Sequence, residues 1–214
     1  MIAPGDLAVI VGLNLVGAAA PGPDMVLMTR TAVRSRRHAW ASTLGIQTGV
    51  LVWCALTVFG ATALLNAFPQ ALTYIQIVGG TILIYMGVQN VRSGVAERYN
   101  PPLDLAEAER RLGTVKAAYL RGLATNLANP KIVVALSAMI APLLPPNPSL
   151  ATAVLVVLAL WLSSLALFAV LVQTISTEVV RRKFLRAGPY IDIGAGVFFV
   201  VVGATLMVRG ALAL

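Results

Sequence analysis

Two short segments of the sequence place proline beside polar or charged side chains within otherwise apolar stretches. Asp24 stands in the first segment and Lys131 in the second. An aspartate can bind an ammonium group of a solute, and a lysine together with the N-terminus of a half-helix can bind a carboxylate. The residues concerned are Pro21, Gly22, Pro23 and Asp24 in the first segment, and Asn126, Asn129, Pro130 and Lys131 in the second.

The prolines predict a break in the helix at each segment. Proline lacks a backbone N–H and displaces the carbonyl one turn earlier, so a broken helix leaves backbone groups free for a polar solute. Pro21 lies nine residues before Arg30, and Pro130 lies nine residues after Arg121. Both breaks therefore fall near the middle of the membrane. Matching interruptions in two halves of a chain predict a transport site.

Neutral side chains complete the predicted site. Asn14, Gln47, Asn126 and Asn129 could each supply hydrogen bonds to a solute. A structural alternative stays open, in which Asp24 pairs only with the lysine and the asparagines satisfy backbone groups freed by the prolines. Ion pairs with a purely structural role do occur inside membranes.

Proton coupling needs a group that changes its protonation during the transport cycle, and a carboxyl group away from water is the usual means. Asp24 is the first candidate. Asp192 is the second, with a solvated boundary position beside Arg186 as an equal alternative. The single histidine, His38, is expected to be a solvated residue of a basic loop.

Composition predicts an all-α membrane protein. Hydrophobic residues make up 58% of the 214 residues and charged residues 11%, whereas soluble domains carry about 25% charged residues. Mean hydropathy is +0.86. Strand-type alternation is absent, so helices must satisfy the backbone in lipid. The chain is long enough for one membrane domain in the lipid bilayer.

Apolar stretches of spanning length predict six transmembrane helices, since roughly 20 helical residues cross the hydrocarbon. Two long runs without formal charge each hold two helices and a turn, marked by Asn66 and Pro69 in one and by residues 145–148 in the other. The predicted spans are Leu7–Met28, Trp40–Leu65, Leu72–Val91, Gly122–Leu144, Leu150–Ile175 and Tyr190–Leu212.

The basic residues predict the orientation. The net charge is +8, and 14 of the 16 basic residues fall in residues 30–37, 92–121 and 181–186. Cytoplasmic loops hold the excess of Lys and Arg, so both termini are expected outside a cytoplasmic (inner) membrane. This distribution orients the protein and predicts no nucleic-acid partner. No basic residue precedes Arg30, so the first helix is expected to be retained.

The chain divides into two halves of three spans, residues 1–95 and 121–214, joined by a cytoplasmic linker, residues 96–120. An odd number of spans per half inverts the second half, as in many transporters. A shift of 116 residues aligns Tyr74 with Tyr190 and places three glycines over three others. The alternative is that any two apolar helices share small residues. The glycines are Gly80, Gly87 and Gly94, which meet Gly196, Gly203 and Gly210.

Glycines seven residues apart lie on one helix face and let a neighbouring backbone approach closely. The third and sixth spans are therefore expected to pack together, either within the bundle or across a homodimer.

The two proline segments and the third span resemble those of the LysE/RhtB family of amino-acid exporters, and the resemblance extends over nearly the whole chain. The matching features are the Pro-Gly-Pro-Asp segment ending at Asp24, the Asn-Pro-Lys segment ending at Lys131, and the third span with Gly79, Gly80, Tyr85, Met86 and Gly87. The resemblance implies a proton-motive-force-driven exporter of amino acids or related metabolites in the bacterial inner membrane. It does not fix the substrate.

Other function classes lack their signatures. No phosphate-binding loop of the Walker type occurs, and one cysteine and one histidine disfavour thiol-redox or metal-ion carriers. We therefore expect no cofactor and no metal site. An intramembrane hydrolase using Ser163 or Ser164 is the enzyme alternative, but no histidine inside the membrane could activate either serine. Export of a different solute or of a cation is the remaining alternative.

Overall fold

The computed structural model describes residues 3–19, 22–61, 70–99, 104–129, 131–132, 136, 149–184 and 187–212. The fold of these residues is helical, with a π-helical turn at Thr57–Ala61. The α-helices are α1 (Pro4–Ala19), α2 (Pro23–Ala32), α3 (Arg36–Leu56), α4 (Gln70–Tyr99), α5 (Leu105–Arg110), α6 (Val115–Leu127), α7 (Leu150–Ile175), α8 (Glu178–Phe184) and α9 (Gly188–Leu212).

Within the described residues, three helical segments are long and apolar enough to cross a membrane. They are Arg36–Phe59, which is α3 with the start of the π-helical turn, and the helices α7 and α9. Helices α1 and α2 together make a fourth candidate, bent by 63° where they meet.

The predicted interruption of the first span is confirmed at this bend. Helix α1 ends at Ala19, and α2 begins at Pro23 after an extended Gly22. Proline suits a helical first turn because its missing N–H would have no partner there. Pro21 lies outside the described residues.

The predicted interruption of the fourth span is also confirmed, although Pro130 itself is not described. Helix α6 ends at Leu127, and helical backbone resumes at Lys131. Pro130 itself lies outside the described residues, as do most of the predicted fourth span beyond residue 132 and the predicted turns at 66–69 and 145–148.

The ends of the predicted spans agree best with the ends of the observed helices where the apolar sequence ends abruptly. The prediction Leu150–Ile175 coincides with α7, and Tyr190–Leu212 lies within α9. The third predicted span ended too early, because α4 continues past Val91 to Tyr99. Hydropathy marks where a helix leaves lipid, whereas the helix itself can continue into water.

Helices α4 and α9 pack antiparallel through their glycines, as the sequence predicted, and they do so within one chain. A Cβ atom added at Gly87 would lie 2.6 Å from the carbonyl oxygen of Gly196, and one added at Gly196 would lie 2.6 Å from that of Gly87. Gly80 and Gly203 show the same reciprocal distance of 2.6 Å. No side chain fits between the backbones at these points.

Helices α3 and α6 also approach closely. A Cβ atom at Gly45 would lie 2.8 Å from the backbone nitrogen of Leu123, and one at Gly49 would lie 2.9 Å from Cγ of Asn126. Glycine at position 49 therefore leaves the space that Asn126 occupies, and this packing carries the second proline segment towards the first.

Short polar residues start the helices around the central linker. Asp104 accepts a hydrogen bond from the backbone of Glu107 at 2.7 Å and begins α5, a short helix within the predicted linker. Thr114 accepts one from Ala117 at 3.1 Å and begins α6. Gly113 adopts φ +83° between the two helices, a conformation that favours glycine.

Candidate functional site

A cavity of about 60 Å³ lies between the two proline segments and helices α1, α3 and α7. The predicted residues that line it are Asn14, Gly22, Asp24, Asn129 and Lys131. The structure thus brings side chains from both halves of the chain to one cavity.

Asp24 lies in the first turn of α2, where the backbone N–H groups of a helix favour a negative charge. Its side chain is buried, with a fractional exposure of 8%. Its Oδ2 atom accepts hydrogen bonds from Nδ2 of Asn126 at 2.9 Å and from Nδ2 of Asn129 at 3.1 Å. Two amides of the second segment therefore hold the carboxylate of the first.

The other carboxylate oxygen has no such support. Oδ1 of Asp24 is buried and has no hydrogen-bond partner among the described residues. A buried acceptor without a partner is unfavourable. Because Asp24 lines the cavity, a cationic group of a solute in the cavity can supply that partner.

Asn129 has the structural role that the sequence left open, and it also holds the carboxylate of Asp24. Oδ1 of Asn129 accepts a hydrogen bond from the backbone N–H of Lys131 at 3.1 Å, which satisfies a donor at the helix break. Its Nδ2 atom meanwhile donates to Asp24. Backbone support and positioning of the carboxylate are therefore properties of the same side chain.

Lys131 is half-buried and lines the same cavity as Asp24. The two side chains attract each other electrostatically. This arrangement places an ammonium group and a carboxylate at one cavity.

Asn14 and Gln47 connect the cavity to α7. Nδ2 of Asn14 donates to the carbonyl of Leu160 at 2.9 Å and to Oγ of Ser163 at 3.0 Å. Nε2 of Gln47 donates to Oγ of Ser164 at 3.0 Å. Gln47 and Asn126 stand behind the cavity wall, since each is 1% exposed or less and contacts a residue that lines it.

Ser163 also donates to the Leu160 carbonyl at 3.0 Å, so its hydroxyl group hydrogen-bonds to the backbone of its own helix. Ser164 differs, because it lines the cavity. Its position beside Ser163 in a helix without charge was the signal that could have revealed this.

Sequence reasoning missed the apolar wall of the cavity. Its members look like ordinary residues of apolar helices, and only the packing of four segments brings them together. They include Met25, Ile46, Val50, Cys54, Leu136 and Phe168.

Asp192 corrects one of the two expectations for it, because it is fully buried rather than solvated at the boundary. Its Oδ1 atom lies 2.6 Å from Nε of Arg30, and its Oδ2 atom lies 2.8 Å from Nη2 of Arg34. Arg34 also pairs with Glu97 at 2.9 Å. Arg30 and Arg34 therefore belong to a buried ion-pair network that joins α2, α4 and α9, and not to a solvated loop.

The expectation of a solvated His38 was wrong. His38 lies in α3 and is buried, with its ring nitrogens 2.9 Å from Oγ of Ser35 and 3.0 Å from the carbonyl of Gly113. It joins the central linker to α3.

Across the described ranges, no group of three or more His, Cys, Asp or Glu side chains could hold a metal ion.

A family model and several known proteins match this chain over most of its length. Residues 15–210 match the family described as LysE type translocator. The chain is 30% identical over 201 residues to a threonine efflux protein of Salmonella typhi, which covers 92% of this chain and 94% of that protein. A threonine efflux protein of Escherichia coli is 29% identical with the same coverage.

A homoserine/homoserine lactone efflux protein of Salmonella typhimurium is 27% identical over 192 residues, 87% of this chain and 88% of that protein. No solved structure matches. A translocator family with efflux proteins among its members indicates transport of a small molecule rather than enzymatic catalysis. The chain is a multi-pass membrane protein and belongs to the LysE type translocator family.

Proposed function

We propose that the protein exports small amino acids, with hydroxylated ones such as threonine and homoserine as the first candidates, and that the proton motive force drives export. The observation that carries this proposal is the buried carboxylate of Asp24, held at one oxygen by two asparagines and without a partner at the other. The hydroxylated side chain is suggested by the names of two relatives, threonine and homoserine efflux proteins.

In this proposal the ammonium group of the solute occupies the open side of Asp24. Its Oδ1 atom accepts a hydrogen bond from the ammonium, which replaces water lost on entering the cavity. Lys131, on the same cavity, binds the carboxylate. Oγ of Ser164 and the side chain of Asn14 also line the cavity and suit a hydroxyl group.

Proton coupling follows from competition at one carboxylate. Asp24 binds the ammonium only when it is ionised. A proton arriving from outside neutralises it, so the solute loses its partner and leaves outward. The neutral carboxyl group then returns to face the cytoplasm and releases its proton there. One proton enters the cell for each solute that leaves in such an exchange.

The proposed architecture has six spans in two inverted halves, residues 1–95 and 121–214, with the linker 96–120 in the cytoplasm and both termini outside the inner membrane. Reciprocal glycine contacts support it. The shift of 116 maps Gly80 onto Gly196 and Gly87 onto Gly203, and it therefore maps the contact of Gly80 with Gly203 onto that of Gly196 with Gly87. A two-fold axis between the halves requires this pairing.

A second pair of contacts obeys the same rule. A Cβ atom at Gly94 would lie 2.6 Å from the carbonyl of Pro189, and one at Gly210 would lie 3.2 Å from that of Thr73. The shift maps each of these contacts onto the other. Because the glycine faces are used within the chain, the pattern gives no support to a homodimer.

Counterflow in proteoliposomes tests the export proposal. Vesicles loaded with unlabelled threonine should accumulate labelled threonine transiently, and vesicles containing the Asp24→Asn variant should not. An intramembrane enzyme gives no counterflow. Absence of counterflow with threonine, homoserine and other amino acids would favour the alternatives, an enzyme or an exporter of a different solute or cation.

A further inference from the structure

A second cavity, separate from the one at Asp24, lies on the side of the bundle that carries the basic loops. It has a volume of about 410 Å³ and lies between α2, α4, α6 and the residues that follow α5. We call it the basic vestibule. Its polar lining includes Arg30, Arg34, Asn90, Arg111 and Arg121.

One charge in the vestibule is not balanced by the described residues. Asp192 and Glu97 pair with Arg30 and Arg34. Arg121 forms no ion pair with any residue of the described ranges, and its Nη1 donates only to the carbonyl of Leu112 at 3.3 Å. Its guanidinium group is therefore available to an anion in the vestibule.

Two residues that line the vestibule carry buried donors without partners. Asn90 is only 9% exposed, and its Nδ2 atom has no hydrogen-bond partner among the described residues. Nε of Arg34, which is 4% exposed, has none either. Unsatisfied buried donors are unfavourable in a folded protein. An anionic group with several acceptor lone pairs would satisfy them.

Helix α4 presents a polar face to the vestibule rather than to lipid. Gln89, Asn90 and Ser93 line the cavity, and Glu97 follows one turn later. Polar side chains in this part of a span are retained where they face water or a solute pathway.

Helix α2 connects the vestibule with the cavity at Asp24. Asp24 lines the first cavity, while Leu27 and Arg30 line the vestibule. Arg30 is six positions after Asp24 in the helix, a rise of about 9 Å. A small amino acid cannot span that distance with its two charges, so the two cavities would be occupied in succession.

We infer that the basic vestibule is a second solute site, which binds the carboxylate of an amino acid at Arg121 and Asn90 before the solute reaches Asp24. This inference rests on the proposed export function and adds the step of cytoplasmic capture. Arg121 supplies the charge, and Asn90 supplies a neutral donor. Arg30 and Arg34 form ion pairs with Asp192 and Glu97 and belong to the wall of the vestibule.

Everted membrane vesicles test this site, because their cytoplasmic face is in contact with the medium. Uptake of labelled L-threonine is measured against its concentration in energised vesicles. Arg121→Gln and Asn90→Ala should each raise the half-saturating concentration, by about tenfold for the arginine, with little change in the maximal rate. Lys116→Gln is the matched control, since it removes the same charge from an exposed position of α6 outside the vestibule.

Threonine amide identifies the group that is bound, because it keeps the ammonium and the hydroxyl but lacks the carboxylate. The inhibition constant of threonine amide against threonine uptake should be equal in the wild type and in Arg121→Gln. Arg121→Lys should restore part of the affinity. An unchanged half-saturating concentration in both Arg121→Gln and Asn90→Ala, at normal abundance, overturns the inference.

Phospholipid phosphate is the other anion that could bind Arg121. The Arg121→Gln effect should be the same in proteoliposomes of neutral and of anionic phospholipid. An effect seen only with anionic phospholipid overturns the inference in favour of a headgroup site. Failure of the wild type to take up any amino acid contradicts the proposed export function instead.

Discussion

Nδ2 of Asn126 lies 2.9 Å from Oδ2 of Asp24, so a side chain of the second proline segment donates a hydrogen bond to the carboxylate of the first, 102 residues away in the chain. This bond joins the two predicted helix breaks at one cavity. The other carboxylate oxygen of Asp24, Oδ1, has no hydrogen-bond partner in the described part of the chain.

Removing Asn126 should weaken solute binding without unfolding the protein. Asn126→Ala deletes one of two donors to Asp24 and should raise the half-saturating concentration for export about tenfold. The carboxylate keeps its bond from Asn129, so abundance should stay near normal. Initial rates in everted vesicles and immunoblots of the membranes measure both quantities.

Asn129→Ala is the informative comparison for that variant. It removes a donor to Asp24 and also the acceptor for the backbone N–H of Lys131. Abundance should therefore fall together with transport. Equal abundance of the two variants would contradict the double role assigned to Asn129.

The α4–α9 interface should tolerate no added methyl group at its glycine contacts. A Cβ atom at Gly196 would lie 2.6 Å from a backbone oxygen and 2.8 Å from the backbone nitrogen of Val91, so Gly196→Ala should destabilise the fold by about 1–3 kcal/mol. Gly194→Ala in the same helix meets no atom within 4 Å and should not lower stability. Thermal unfolding of the purified proteins in detergent compares them.

Breaking the buried ion-pair network should cost more stability than breaking an exposed ion pair. Asp192→Asn leaves Arg30 and Arg34 without their shared carboxylate and should cost about 3–5 kcal/mol. Glu178→Gln breaks the exposed pair with Arg182 and should cost at most about 1 kcal/mol. A melting temperature lowered equally by both changes would contradict the expected difference between the buried network and the exposed ion pair.

Topology can be tested with cysteines placed at exposed sites in a Cys54→Ala background. Ser35 and Ala108, loop positions by sequence, are buried and unsuitable for labelling. Cysteines replacing the exposed Arg37 and Lys183 should be shielded from impermeant thiol reagents in intact cells, and a cysteine at the exposed Ala211 should react. Labelling of Arg37→Cys from outside would reverse the orientation.

Sequence patterns predicted the helical class, the family, the glycine packing and the break around Pro23 because each depends on local chemistry or on a simple period. The residues Asp24, Asn129 and Lys131 were found because charge and broken helices are costly in lipid. These features need no knowledge of which helices are neighbours.

The pairing of Asp192 with Arg30 could not be predicted in this way. Both residues lie near predicted span ends, where hydropathy cannot distinguish a solvated charge from a buried pair. His38 was misjudged for the same reason, since its burial depends on the carbonyl of Gly113 in the distant linker. The apolar cavity wall likewise depends on tertiary packing alone.

The most direct test of the account is energised, proton-driven export of threonine by three variants: Asp24→Asn, Lys131→Gln and the double variant. We predict that Asp24→Asn abolishes uphill export at normal abundance, that Lys131→Gln raises the half-saturating concentration with esterified substrates affected least, and that the double variant stays inactive. If the two residues only neutralise each other, removing both should be tolerated, because breaking one partner of a buried pair costs more than replacing both. Export by the double variant at nearly the wild-type rate would contradict the role assigned to Asp24.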